Sequence, residues 1–342
     1  MVLLVGGDPA LDRHDVGVGH PERAARIEAA LAGVDDAGLG DAVVHLAPRR
    51  ATEDELMLVH PAPYLEALRA FCEAGGGYLD PDTVAGEGSW DTALLAAGAA
   101  LAAVEALQGG EGDVAFVAAR PPGHHALADQ SMGFCLLNNV AVAAASLTAR
   151  GERVMVVDWD VHHGNGTQAI FWDDPSVLYV STHEWPLYPG TGAVHETGGP
   201  GAPGLTVNVP VPAGATGNVL RHALDDVVAP VAERFSPTWV LVSAGFDAHR
   251  ADPLADLALT AGDFADLATR VRQFTPRPGR LALFLEGGYD LDALRRSVGA
   301  TLAALLGADY RPEPASSGGP GASAVEAARR VHADGVSAGG GP

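Results

Sequence analysis

The segment Val154-Met-Val-Val-Asp-Trp-Asp-Val-His-His-Gly-Asn-Gly166 constrains this chain more than any other stretch. An apolar, β-branched run (Val154, Val156, Val157) breaks abruptly into Asp158, Asp160 and His162, then into Gly164-Asn165-Gly166. Alternate residues of a strand share a face, so these two acids and the imidazole are predicted to project together from one strand end. Burying them unpaired would cost on the order of several kcal/mol each. Two explanations stand: a divalent metal neutralises the cluster, or the acids cap a following helix and His162 is a satisfied structural histidine.

Composition narrows the class. The chain has 342 residues, enough for one large α/β domain or two smaller ones. Hydrophobic content of 47% with 19% charged residues fits a globular protein with a substantial core. Lys+Arg of 21 against Asp+Glu of 43 gives a net charge of −22. That balance argues against nucleic acid as a partner, because phosphate contacts need clustered cations. It would draw in basic peptides or polyamines, or simply keep the protein in solution. Cys72 and Cys135 are too few for a disulfide framework, so a reducing, cytoplasmic location is expected. Residues 2–5 form too short an apolar run for a signal peptide. The Ala-rich run from Ala93 to Val104 reads as too short to span a bilayer, so no membrane partner is expected. A homo-oligomer is left open.

Helical patterns alternate with apolar runs. Helices are predicted at Pro21–Ala32, Pro63–Ala74, Ser89–Leu107 with Ser89 as cap, Asn138–Ala149, Gln168–Trp172, Val219–Phe235, Phe264–Phe274 and Leu291–Leu306. Strands are predicted at Val114–Ala118, Val154–Val157, Val177–Ser181, Leu205–Val209 (weaker), Trp239–Ser243 and Leu281–Leu285. This alternation implies an α/β fold: a central parallel sheet with helices on both faces. Residues 312–322 have linker composition, Ala324–His332 suits one short helix, and Gly339-Gly-Gly-Pro342 has the composition of a disordered end.

Polar clusters follow the strands: Arg120-Pro-Pro-Gly-His124-His125, Asp158/Asp160/His162, Ser181-Thr-His183, Ser243-Ala-Gly-Phe-Asp247 and Glu286-Gly-Gly-Tyr289. Open α/β sheets bind ligands outside the carboxyl ends of their strands, so these clusters are expected to meet at one edge. Asp160, His162 and Asp247 would be three ligands that leave a fourth position open, the pattern of a catalytic zinc site. Zinc polarises a carbonyl and brings its bound water towards a pKa of ~7. His124 and His125 suit general acid and base work, and the Tyr289 phenol suits a developing oxyanion.

Taken with Gly133-Phe-Cys-Leu-Leu-Asn-Asn139, these motifs resemble the zinc-dependent histone deacetylase family over about Asp8 to Leu306. Asn165 and the Asp-Trp-Asp start point to its class II and bacterial amidohydrolase-like branch. The resemblance implies a single-domain arginase–deacetylase fold over residues 1–311, followed by a tail at 312–342. It implies hydrolysis of acyl-lysine or acylated polyamine amides. By matching motif, Asp160, His162 and Asp247 would bind zinc, with iron as the alternative metal. His125 would be the general base and acid, supported by Asn165. His124 would be an electrostatic partner oriented by Asp158, and Tyr289 would polarise the scissile carbonyl with the metal. Phe134 and Tyr188 would wall the tunnel, Gly133 would offer its carbonyl to the substrate amide, and Gly288 would adjoin the substrate. A structural potassium would take ligands from Asp158, Asp160, His162, Ser181 and Thr182, and Arg26 would guard an internal product channel. Two departures from the family pattern are Ala24 for a proline and Tyr188 for a phenylalanine. A third is Leu254, where the polyamine-selective branch carries an acidic gatekeeper; this favours acyl-lysine unless Asp80 or Asp82 replaces that acid. A catalytically silent acyl-binding module and an arginase-type binuclear hydrolase are the competing explanations. The intact Tyr289 argues against the first, and the lack of bridging aspartates at His125 and Asn165 against the second.

Overall fold

The computed structural model describes residues 1–334, so the expected disordered end at Gly339–Pro342 lies outside the described residues. In chain order the strands are β1 (Leu3–Gly6), β2 (Val43–His45), β3 (Gly77–Tyr78), β4 (Val84–Ala85), β5 (Val114–Val117), β6 (Val154–Asp158), β7 (Val177–Glu184), β8 (Thr206–Val211), β9 (Trp239–Ala244) and β10 (Leu281–Leu285). Eight of them form one sheet in the order β2-β1-β5-β10-β9-β6-β7-β8, every neighbouring pair parallel. β3 and β4 form a separate antiparallel ribbon.

The helices are α1 (Ala25–Asp36), α2 (Glu53–Leu56), α3 (Ala62–Glu73), α4 (Ser89–Gln108), α5 (Asn139–Thr148), α6 (Asn165–Ile170), α7 (Gly217–His222), α8 (Ala229–Phe235), α9 (Ala261–Gln273), α10 (Leu291–Leu306) and α11 (Ala322–Asp334). Alternation along each strand sends side chains to two separate cores. Met155, Val157, Val240, Val242, Leu281 and Leu283 pack with α1 and α7 to α11. Val154, Val156, Trp239, Leu241, Ala282 and Phe284 pack with α4 and α5. Burial on both faces is why these strands read as unbroken apolar runs and not as alternating patterns.

Several expectations shift. Ser89 is the first residue of α4 and not its cap: Gly88 holds that position, while Ser89 Oγ accepts the Gly86 N–H (2.7 Å) and pairs with His14 Nδ1 (2.6 Å). α4 runs to 20 residues, long and apolar enough to cross a membrane by length and composition. The Ala93–Val104 length argument therefore fails, and what identifies α4 is its packing, with 67% of the apolar window buried inside the fold. α1 starts at Ala25, past Pro21, because Glu22 is drawn into a buried ion network. α6 starts at Asn165 and ends at Ile170, earlier at both ends than expected. Val219–Phe235 is not one regular helix but α7 and α8 joined by a π-turn at Ala223–Val228. Pro230 in α8 has no N–H to donate to the preceding turn, and a widened turn absorbs the mismatch. β1, β2 and the β3–β4 ribbon were not anticipated.

The segment from 312 to 321 has no regular structure, as its composition implies, but it is tied down. Pro314 O accepts the Thr260 hydroxyl (2.6 Å), and Glu313 accepts from Ala261 N–H (3.0 Å) and His249 Nε2 (2.8 Å). α11, longer than Ala324–His332, covers the β8 side of the sheet with Val325 and Ala328 buried in the larger core. Ala328→Glu would place a carboxylate among those apolar side chains without a partner. We expect a loss of roughly 2–4 kcal/mol in urea unfolding with the metal site unchanged. A loss within ~0.5 kcal/mol, typical of a surface site, would show that α11 does not belong to the cooperative core.

Candidate metal centre and active site

The carboxyl ends of β5, β10, β9 and β6 are adjacent in the sheet, and the polar clusters that follow them meet there. β6 ends at Asp158, so Asp158, Asp160 and His162 do not lie on one strand face as the spacing predicts. Asp158 follows the parity of Val154 and Val156 towards α4 and α5. Its Oδ2 lies 3.0 Å from His124 Nδ1, and its Oδ1 accepts the Asp160 N–H (3.1 Å). Asp160 and His162 come off the strand end and meet Asp247 from the loop after β9. Their ligand atoms all lie within 4.8 Å of one another, and the cluster is buried.

This cluster demands a cation. His162 Nδ1 lies 3.2 Å from both Asp160 Oδ1 and Asp247 Oδ2. Burial works against charge on His162, yet the two carboxylates overrule it and lift its pKa to about 10. Backbone donors also converge: Gly287 N–H on Asp160 Oδ2 (2.8 Å), His162 N–H on Asp160 Oδ1 (2.9 Å) and Val161 N–H on Asp247 Oδ1 (2.9 Å). Two carboxylates and an imidazole are a fitting donor set for a divalent ion, which would take the role of the imidazolium proton.

Adjacent histidines face opposite fates. Burial opposes charge on His124, but Asp158 and Asp160 overrule it and hold its pKa well above the ordinary value. His125 is pushed well below, first by burial and then by the charges on His124 and His162. Its Nδ1–H donates to Asn165 Oδ1 (2.8 Å), which leaves Nε2 as a free acceptor. The two rings sit 4.0 Å apart.

Aromatic rings stand around them. Tyr188 stands edge-on to His125 at 5.2 Å, and Phe134 stands edge-on to Tyr289 at 5.9 Å. Phe134 holds a left-handed φ of 68°, a strained setting for a bulky residue, fixed by its N–H on Thr83 Oγ1 (3.0 Å). Gly133 must be glycine, since a Cβ there would sit 2.4 Å from the His125 ring. Burial keeps the Tyr289 phenol protonated, well above the usual tyrosine range. Arg26, fully buried, donates to Gly288 O (2.7 Å) and Glu286 O, and its guanidinium lies 4.8 Å over the Tyr289 ring.

The chain is similar to known proteins over most of its length. The histone deacetylase domain matches residues 20–305. A probable deacetylase of Archaeoglobus fulgidus is 39% identical over 87% of this chain and 84% of its own. A histone deacetylase-like amidohydrolase of Pseudomonas aeruginosa is 41% identical over 84% of this chain and 77% of its own. The crystal structure of the HDA15 HD domain superposes with a TM-score of 0.88 at 36% identity, covering 97% of this chain and 96% of that one. The chain belongs to the histone deacetylase family. Its fold is the arginase–deacetylase fold, and deacetylase or amidohydrolase activity is supported at the level of that family.

Within this deacetylase frame the expected site residues separate. His124, His125, Asp158, Asp160, His162, Asn165 and Asp247 form one connected group, with Gly133, Phe134, Tyr188 and Tyr289 around it. Ser181 and Thr182 lie inside β7; Ser181 is opposite Asp158 in register, and its Oγ pairs with His183 Nδ1 (2.9 Å). Gly288 turns the chain at a φ of 116°, its carbonyl taken by Arg26. Leu254 is half-buried on the loop that follows Asp247. Sequence reasoning gave no role to Glu286, whose Oε2 accepts the Gly123 and His124 N–H groups (2.7 and 3.1 Å). It also missed Glu22, which pairs with both Arg26 and Arg120. The Glu22-to-Arg26 spacing of one helical turn was the available signal.

Because a metal must displace the His162 proton, its apparent affinity should rise about tenfold per pH unit between pH 6.5 and 9. The sign follows from a folded-state pKa near 10, above the unfolded value of 6.5. The imidazolium stabilises the metal-free fold below pH 6.5, and that contribution is lost as pH rises towards 10. Competition against a chromophoric chelator reads the slope, with Asp247→Ala as the non-binding control. A flat profile would remove His162 from the ligand set.

Proposed function

We propose that this protein is a zinc-dependent hydrolase of N-acyl amides acting on acyl-lysine side chains. The observation that carries the proposal is the different anchoring of two adjacent histidines beside a three-residue cluster: His125 Nδ1 is held by the neutral Asn165 amide, which turns Nε2 into an acceptor, and His124 Nδ1 is held by the Asp158 carboxylate, which favours its charged form. A divalent cation there would supply Lewis-acid polarisation of a carbonyl oxygen and of water. His125 Nε2 accepts the proton of the attacking water as the C–O bond forms. It then delivers that proton to the amine nitrogen as the C–N bond breaks. His124, pinned by Asp158, keeps its charge and stabilises the negative charge that develops. The Tyr289 hydroxyl, with no hydrogen-bond partner among the described residues, donates to the carbonyl oxygen. Asp158 and its register partner Ser181 are the proposed core of the potassium site.

The aromatic walls suit a neutral acyl-lysine stem. Asp80 is engaged by its own turn, and Asp82 only through one hydroxyl. Asp80 Oδ1 accepts the N–H groups of Asp82 and Thr83, and Asp82 Oδ1 accepts the Thr83 hydroxyl (3.2 Å). Leu254 offers no charge to a distal ammonium, which would be costly to desolvate. Long-range attraction from the −22 net charge raises encounter rates more than it sets discrimination.

Three outcomes are expected. Tyr289→Phe keeps its metal but loses a factor of about 10²–10³ in kcat, the usual effect of one oxyanion donor; unchanged turnover would make the tyrosine a packing residue. His125→Ala is slower than His124→Ala, and equal mild losses would point to a mechanism without a side-chain base. Acetyl-lysine peptides give higher kcat/KM than N-acetylspermidine or N-acetylputrescine. The reverse preference would move the substrate to the polyamines and leave amide hydrolysis in place.

A further inference from the structure

The turn that presents Tyr289 contains Gly287 and Gly288, which bring no side-chain restraint of their own. Its backbone is instead held from outside. Gly287 donates to Asp160 Oδ2 (2.8 Å) and accepts from Phe246 N–H (3.0 Å). Gly288 O accepts from Arg26 Nε (2.7 Å). The Tyr289 N–H has a different anchor, Asp252 Oδ2 at 2.6 Å, which also lies 3.4 Å from the Asp290 N–H. The other oxygen of the same carboxylate, Oδ1, accepts the Leu254 N–H at 3.0 Å.

Asp252 is buried, and it forms no ion pair with a basic side chain among the described residues. Burial and then the nearby Asp247 carboxylate push its pKa up to about 7, and the backbone N–H groups of Tyr289, Leu254 and Asp290 work the other way, towards the ionised form. Its position just before α10, whose N-cap is Asp290, adds the favourable end of the helix dipole. One rigid group therefore joins the loop after Asp247 to the backbone of Tyr289. Resting on the reading that the Tyr289 hydroxyl polarises the scissile carbonyl, we infer that Asp252 is a positioning residue that fixes the Tyr289 backbone and couples the Leu254 loop to it. Asp252 touches neither substrate nor metal and acts only through Tyr289.

The test is a double-mutant cycle on the metal-loaded enzyme with an acetyl-lysine peptide. Asp252→Asn preserves shape, but an amide can satisfy the Tyr289 N–H or the Leu254 N–H and not both. Asp252→Ser, too short to reach the turn, is the second variant. Both should keep full metal content, hold KM within about threefold and lose about 10–10²-fold in kcat, less than removal of the hydroxyl donor. In the Tyr289→Phe background the same substitutions should cost nothing further. An unchanged kcat in Asp252→Asn, an equal loss in both backgrounds, or loss of metal in step with activity in both variants would overturn the inference and leave the hydrolase reading standing. Tyr289→Phe as fast as wild type, or a wild-type protein inert on every acyl amide, would overturn the reading and this inference together.

Discussion

Asp160 and Asp247 place two buried carboxylates against one imidazole, and the active-site end of the fold is arranged around their negative charge. Backbone N–H groups from Val161, His162 and Gly287 point at them, each from a chain segment just past a central strand. Such approach requires glycine at two places. A Cβ at Gly245 would sit 2.0 Å from Asp160 Oδ2, and one at Gly287 would sit 1.9 Å from Asp247 Oδ2. The parallel sheet supplies the geometry, because all its strands finish at the same edge and its two buried faces keep the strands from shifting.

A second layer of charge stands behind the first. Glu22 accepts from Arg26 and Arg120, and Arg120 also pairs with Asp12. Burial works against the Glu22 carboxylate, but the two guanidinium groups pull its pKa down to about 2. Buried ion pairs of this kind are weak arguments for stability, since desolvation offsets most of their attraction. Their effect here is geometric. Through Arg26 they hold the carbonyls of Glu286 and Gly288, and so the turn that carries Tyr289. Glu286, lifted to about 7 by burial, similarly locks the His124 backbone to the end of β10.

The central strands were legible in the chain because burial on both faces writes itself as unbroken β-branched runs. β2, largely exposed at the sheet edge, leaves no such trace, whereas β1 does lie in the apolar run at residues 2–5, which was weighed against a signal peptide and not as a strand. Two helix starts differ because a residue there has tertiary work, Ser89 with His14 and Glu22 with Arg120. The candidate metal-site residues were legible because acids and a histidine directly after apolar runs have no place in a core. Glu286 and Asp252 were not, because nothing local marks a carboxylate whose partners are backbone N–H groups many residues away.

Residue chemistry and spacing alone therefore determined the layered α/β class and the convergence of strand-end polar clusters, and they marked Asp158, Asp160 and His162 as residues with no place in a core. Those properties depend on side-chain type and on periodicity, which are local. Tertiary structure decided that Asp247 joins Asp160 and His162 while Asp158 turns away to serve His124, and that the two neighbouring histidines take different partners, a carboxylate for His124 and an amide for His125. It also decided that Tyr289 is held by Arg26 on one side and Asp252 on the other. Charge state and backbone restraint are set by burial and by distances between segments far apart in the chain, and these exist only once the sheet has brought its strand ends together.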